Sequence, residues 1–154
     1  MGRLLAAPAP YANSGSGLPK LFIQVPAGEL PRTTTTAAGC GLDLVNDQTA
    51  QDAAIDHASF ASFGGWAGDK ATGKVPLTVW LVLDGAQDFY VRAPTGGDRP
   101  DVAAATHIPS FARSGFEVSA YLPGVPIGNY QVMIYYRING KEMACSTGVT
   151  VSVQ

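Results

Sequence analysis

The stretch Val75-Pro-Leu-Thr-Val-Trp-Leu-Val-Leu-Asp84 alternates with a period of two. Leu77, Val79, Leu81 and Leu83 fall on one face and Thr78, Trp80 and Val82 on the other, because successive side chains of a strand point to opposite sides of its sheet. Both faces are largely apolar, so the sequence predicts a central strand covered on both sides. Asp84-Gly85 then supplies a tight-turn dipeptide leading to Phe89-Tyr90-Val91. Asn139-Gly140 does the same between Tyr135-Tyr136-Arg137-Ile138 and Glu142-Met143-Ala144-Cys145, so a hairpin is expected at each place.

Outward from this pair of hairpins, β-type segments recur at 41–46, 54–64, 75–84, 87–93, 115–121, 128–138 and 147–153, at the spacing of a sandwich or barrel. About seven strands, with a long connection over 94–114, predict an all-β fold. The expected form is two antiparallel sheets packed face to face, immunoglobulin-like in outline, over residues 39–154. The 18 glycines and 11 prolines argue against long helices, since an interior Gly costs about 1 kcal/mol and an interior Pro about 3. A short helical turn near 101–106, capped by Asp101, is the one helical candidate. Residues 1–38 read as a linker or tail: they hold Pro8, Pro10, Pro19, Pro26 and Pro31, a Ser-Gly-Ser-Gly stretch at 14–17 and the run Thr33 to Thr36. Within them Leu21-Phe22-Ile23-Gln24-Val25 has strand character and could pair with a sheet edge at 21–25.

Composition narrows the function classes. Hydrophobic residues make up 46% of the chain and charged residues 14%, and a net charge of −2 leaves no basic field to gather phosphates, so nucleic acid is excluded as a partner. The longest apolar run, Leu77 to Leu83, is far short of the roughly 20 residues that span a bilayer, so this chain is not expected to insert directly into a membrane. The opening Met1-Gly-Arg-Leu-Leu-Ala-Ala-Pro8 is too short an apolar stretch for a secretory signal, and the chain reads as a piece of a larger protein.

Cys40 and Cys145 stand at the beginning and near the end of the β-rich region. First and last strands of a sandwich often lie side by side, and a bridge closing about 100 residues would stabilise by up to roughly 4.7 kcal/mol. A disulfide and hence an oxidising compartment are expected, against the alternative of two buried thiols in a reducing one. Neither cysteine has a C-x-x-C or His companion that would suggest metal or redox chemistry.

Catalytic signals are weak. His57 and His107 have no metal-ligand spacing, and Asp56 and His57, as neighbours on a strand, would point to opposite faces. A calcium cluster of Asp43, Asp47 and Asp69 is conceivable, but solvated or turn-capping carboxylates are the simpler reading. No nucleophile elbow or glycine-rich phosphate loop occurs. The expectation is a non-enzyme without metal or cofactor.

Several short motifs, in order, carry a family resemblance: Cys40-Gly-Leu-Asp43-Leu-Val-Asn46, Ile55-Asp56, Gly65-Trp66-Ala67-Gly-Asp69, Arg99-Pro100-Asp101-Val102-Ala103, Ser114-Gly115-Phe116 and Gly128-Asn-Tyr130-Gln-Val132. Over about 40–154 the series resembles the β-sandwich domain with G-W-A, R-P-D-[VL] and G-F signatures of bacterial cell-envelope proteins. Such domains are often appended to membrane glycosyltransferases or placed beside polysaccharide-handling modules. The resemblance implies a periplasmic or cell-surface accessory domain, recognising or positioning polysaccharide, and supplies no catalytic residue. The alternative is a structural domain that docks the membrane-embedded part of its own parent protein or a partner subunit. From the residues themselves, Trp66 reads as a core or edge anchor, and Arg99 as a fork onto Asp101 or another acid that braces the 94–114 connection. Phe116 reads as core, and Tyr130 as a corner tyrosine whose hydroxyl is satisfied nearby. Outward candidates for stacking on a sugar are Trp80, Tyr90, Tyr121 and one of the adjacent pair Tyr135 and Tyr136.

Overall fold

The computed structural model describes residues 19–26, 29–30, 34–51 and 53–154. The Ser-Gly-Ser-Gly stretch, Pro8, Pro10, Pro31 and Thr33 lie outside the described residues. The chain is all-β. Its strands are β1 (Lys20–Leu21), β2 (Ile23–Val25), β3 (Ala38–Val45), β4 (Gln48–Thr49), β5 (Ala54–Ile55), β6 (Phe60–Asp69), β7 (Thr78–Asp84), β8 (Asp88–Gly97), β9 (Gly115–Tyr121), β10 (Gly128–Ile138) and β11 (Lys141–Val153). One helix, α1 (Pro100–Thr106), and a 3-10 segment at Pro109–Arg113 lie between β8 and β9.

A seven-stranded sandwich of two separate sheets is not what these strands build. They form one sheet of 11 strands, curled into a half-barrel: nine follow the path β4-β3-β6-β9-β8-β7-β10-β11-β5, and β1 pairs with β9 and β2 with β8 off it. The corner is made within β8. Its first part pairs with β7 from Thr78↔Pro94 to Asp84↔Asp88. Its end pairs with β9 at Thr95↔Phe116 and Gly97↔Gly115, across a register shift that bends the strand. Alternation along single strands reveals which faces are apolar but not that one strand serves both halves, which is why the sequence suggested two layers.

The concave side holds one core: Val79, Leu81 and Leu83 of β7 meet Phe89 and Val91 of β8, Phe116 and Val118 of β9, Phe63 of β6 and Val132 and Ile134 of β10. Val79, Leu81, Leu83 and Phe116 are completely enclosed. Leu77, expected on the same face, lies before the strand begins and is 90% exposed. The segment read as one strand over 54–64 is split, because Asp56 accepts a hydrogen bond from the Ala58 amide at 2.9 Å and turns the chain before β6. Asn139 and Gly140 adopt φ of 53° and 78° between the paired Ile138 and Lys141, the turn that their sequence predicts. A turn of the same hand at Asn46 and Asp47, φ 54° and 61°, joins β3 to β4. The Asp84-Gly85 hairpin is instead longer, closing on Asp84↔Asp88. Gly85 is required there by proximity: a Cβ would sit 2.8 Å from the Tyr130 ring.

The two ends of the curl meet without forming a ladder. β3 and β11 are joined by the Cys40–Cys145 disulfide, whose Cα atoms are 6.2 Å apart. Beside it the buried Tyr136 hydroxyl accepts from the Gly39 amide and lies 3.0 Å from the Gly39 and Gly68 carbonyls, to which its single proton is available. Burial pushes that phenol's pKa well above its ordinary range. The Ala144 amide donates to the Thr35 hydroxyl, and the Thr35 amide to the Ala144 carbonyl. The tail is therefore tied to the sheet at β1, β2 and Thr35.

Candidate functional site

Two outward faces of the half-barrel carry a tryptophan, and the chain treats them differently. On the β3–β6 face, α1 and the 3-10 segment form a roof. Phe111, fully buried, packs on Trp66 with ring centroids 5.8 Å apart. A Cβ on Gly68 would lie 2.5 Å from the Phe111 ring, and one on Gly41 2.5 Å from Trp66 Nε1, so these glycines admit the two aromatics.

Arg99 pins the roof. Its Nε and Nη2 reach the two Asp101 oxygens at 3.0 and 2.9 Å, and Nη1 reaches Asp43 Oδ2 at 2.7 Å. Asp43 stands at the register shift between Leu42 and Leu44, where β3 departs from regular pairing with β6. The hydrogen bond from Arg99 holds the Asp101 carboxyl down to about 2. Asp101 therefore serves Arg99 and does not cap α1 with its side chain; the residue at the N-cap is Arg99 itself. Tyr130 donates its hydroxyl to the Pro126 carbonyl at 2.6 Å, and burial raises its pKa.

The second face lies on β7, β8, β10 and β11, where Val82, Met133, Tyr135 and Ala144 are buried, Trp80 and Tyr90 half-buried and Arg92 exposed. Tyr135 lies across from Trp80 on one side and Ala144 on the other, and Trp80 across from Arg92. Tyr90 packs on Trp80 with centroids 6.1 Å apart, and Val82 and Met133 extend the same apolar cluster. Leu30, from the tail, packs against it. A groove of about 390 Å³ runs over this surface, within the size range of small-molecule sites. Its floor is Trp80 and Tyr135; Arg92, Arg137, Glu142 and Leu77 stand around it. Arg137 Nη2 pairs with Glu142 Oε2 at 3.0 Å. Arg92 makes no side-chain hydrogen bond or ion pair among the described residues.

The aromatic candidates thus divide. Trp80, Tyr90 and Tyr135 converge on one face. Tyr136 turns inward to the seam, as its alternation with Tyr135 requires, although it also contributes to the groove's lining. Tyr121 lies on the outer side of the other half, edge-on to Phe60 with centroids 6.2 Å apart and paired with Leu21. Arg92, Arg137 and Glu142 were not singled out by sequence, although a signal was there: Arg92 is two residues from Tyr90 and Arg137 two from Tyr135, which puts each on its aromatic neighbour's face.

The titratable candidates do not converge. His57 is exposed and bonds the Gln154 carbonyl through Nδ1 at 2.6 Å. His107 is the left-handed residue that ends α1. Asp69 is buried and accepts from the Ala71 amide and the Thr72 hydroxyl at 3.0 and 2.8 Å, which shapes the turn after β6. Among the described residues no three His, Cys, Asp or Glu side chains gather as a metal site, and no helix is long and apolar enough to cross a membrane. No family model, curated protein or solved structure matches the chain.

Proposed function

We propose that the domain is a non-catalytic saccharide-binding module of a cell-envelope protein, and that its ligand lies in the groove over Trp80 and Tyr135. The observation that carries this reading is a groove lined by the half-buried Trp80 and by Tyr135, with exposed hydrogen-bonding side chains beside them. A sugar ring presents an apolar face that stacks on an aromatic ring and a rim of hydroxyls that guanidinium and carboxylate groups can bond. Arg92, Arg137 and Glu142 stand where such bonds would form.

The Cys40–Cys145 disulfide supports an extracytoplasmic location, since such bonds persist in oxidising compartments. The motif series from Cys40 to Val132 supports an accessory role beside polysaccharide-handling or glycosyltransferase modules.

Calorimetric titration with a panel of short envelope-type oligosaccharides tests the reading. Binding that Trp80→Ala removes, in a protein that still folds, is the expected outcome. Absence of heat for the whole panel at millimolar ligand, or binding indifferent to Trp80→Ala, would overturn it.

A further inference from the structure

The charges around the groove do not cancel. Among the described residues three ionised groups line it, Arg92, Arg137 and Glu142, and Arg137 and Glu142 pair with one another. Arg92 is left over, its guanidinium without a side-chain partner among the described residues. Lys20 adds a second cation behind it, with Nζ donating to the Arg92 carbonyl at 2.8 Å. Glu29, beside Leu30 in the chain, does not line the groove. Among the described residues, a chain of net charge −2 thus places two neighbouring cations, Arg92 and Lys20, beside the Trp80 ring.

We propose that the groove selects acidic saccharides, with a uronate carboxylate seated on the Arg92 guanidinium while the sugar ring lies over Trp80. The inference rests on the saccharide reading above and adds the class of sugar. Trp80 and Arg92 are directly opposed across β7 and β8, so the stacking surface and the cation are adjacent, as the ring and the carboxylate of one uronate are. The planar guanidinium fork matches a planar carboxylate in two parallel hydrogen bonds, which a hydroxyl cannot reproduce. Arg137 is a poorer anchor, because a ligand carboxylate there would have to displace Glu142.

Calorimetry on the whole chain, with gluco-, galacto- and manno-configured uronate oligomers and their neutral counterparts, tests this. At least one uronate should bind about tenfold or more tightly than its neutral match, the effect expected of one charged hydrogen-bonded contact. Rising salt should weaken the uronate and spare the neutral sugar. Arg92→Gln should remove the difference, the uronate and its neutral match then binding that variant alike, with the melting temperature in place. Equal affinity for acidic and neutral sugars, or a full preference retained in Arg92→Gln, overturns the charge assignment and leaves the saccharide reading standing. Binding of no sugar in either set overturns both.

Discussion

Trp66 and Trp80 occupy similar places, each on the outward side of a strand near the middle of its half of the sheet, yet among the described residues only Trp66 lies under a helical segment. Over Trp66 the chain has laid residues 98–114, with Phe111 seated on Gly68 and Arg99 fastening the segment to Asp43. Among the described residues, Trp80 clusters with Leu30, Tyr90, Tyr135, Val82, Met133 and Ala144. The contrast lies in what surrounds each ring: Trp66 is matched by glycines that make room for it and for Phe111, Trp80 by a groove and the exposed Arg92 across the strand pair.

Both faces depend on the seam that holds the curl. A disulfide across a sequence separation of 105 residues contributes about 4.7 kcal/mol by loop-closure entropy. Reduction, or Cys40→Ala with Cys145→Ala, should lower the melting midpoint by roughly 10–20 °C. A midpoint unchanged by reductant would show that Tyr136 and Thr35 close the seam alone.

The roof and the groove should then differ in stability. Phe111→Ala empties a fully buried site and should cost about 3–5 kcal/mol in denaturant unfolding. Trp80→Ala removes a side chain that is only partly buried and should cost roughly 1–2 kcal/mol, in proportion to the smaller area it hides. Equal losses would break the comparison, since Trp80 would then be packing as tightly as the roof.

The smallest effect concerns the roof's ion pairs. Asp101 is depressed in the folded state from 3.8 to about 2 by its bond from Arg99. A depressed carboxyl contributes stability above its unfolded pKa and loses it as pH falls through the folded value. The contribution is therefore complete above about pH 4 and gone below about pH 2. Because the Asp101 side chain is 67% exposed, the gain is under about 1 kcal/mol. Melting curves of Asp101→Asn and the parent should lie slightly apart at pH 6 and converge in acid; a gap that widens in acid would contradict the pairing.

Much of this was legible in the sequence because it is local. Alternation at 75–84 and the Asn139-Gly140 turn fix strands and a hairpin within a few residues, and the bridge needed only two cysteines to choose from. The single curled path was not legible, because the bend within β8 arises from a register shift against β9 that alternation does not encode. Asp101 as a helix cap failed for a related reason: Arg99, two residues away, offers its carboxylate a charged donor, which outcompetes a backbone amide. The groove was half legible. Trp80, Tyr90 and Tyr135 stood out as aromatics, but gathering them takes the pairing of β10 with β7, a long-range fact that also selects Tyr135 over Tyr136 and leaves Tyr121 elsewhere.

The most direct test uses the difference between the two tryptophans, the only ones in the chain. In a Trp66→Phe protein the fluorescence comes from Trp80 alone. Titrated with the tightest-binding oligosaccharide, that emission should change in intensity and wavelength along a saturable curve whose midpoint matches calorimetry. Emission that stays constant while calorimetry records binding would place the ligand elsewhere and contradict the account.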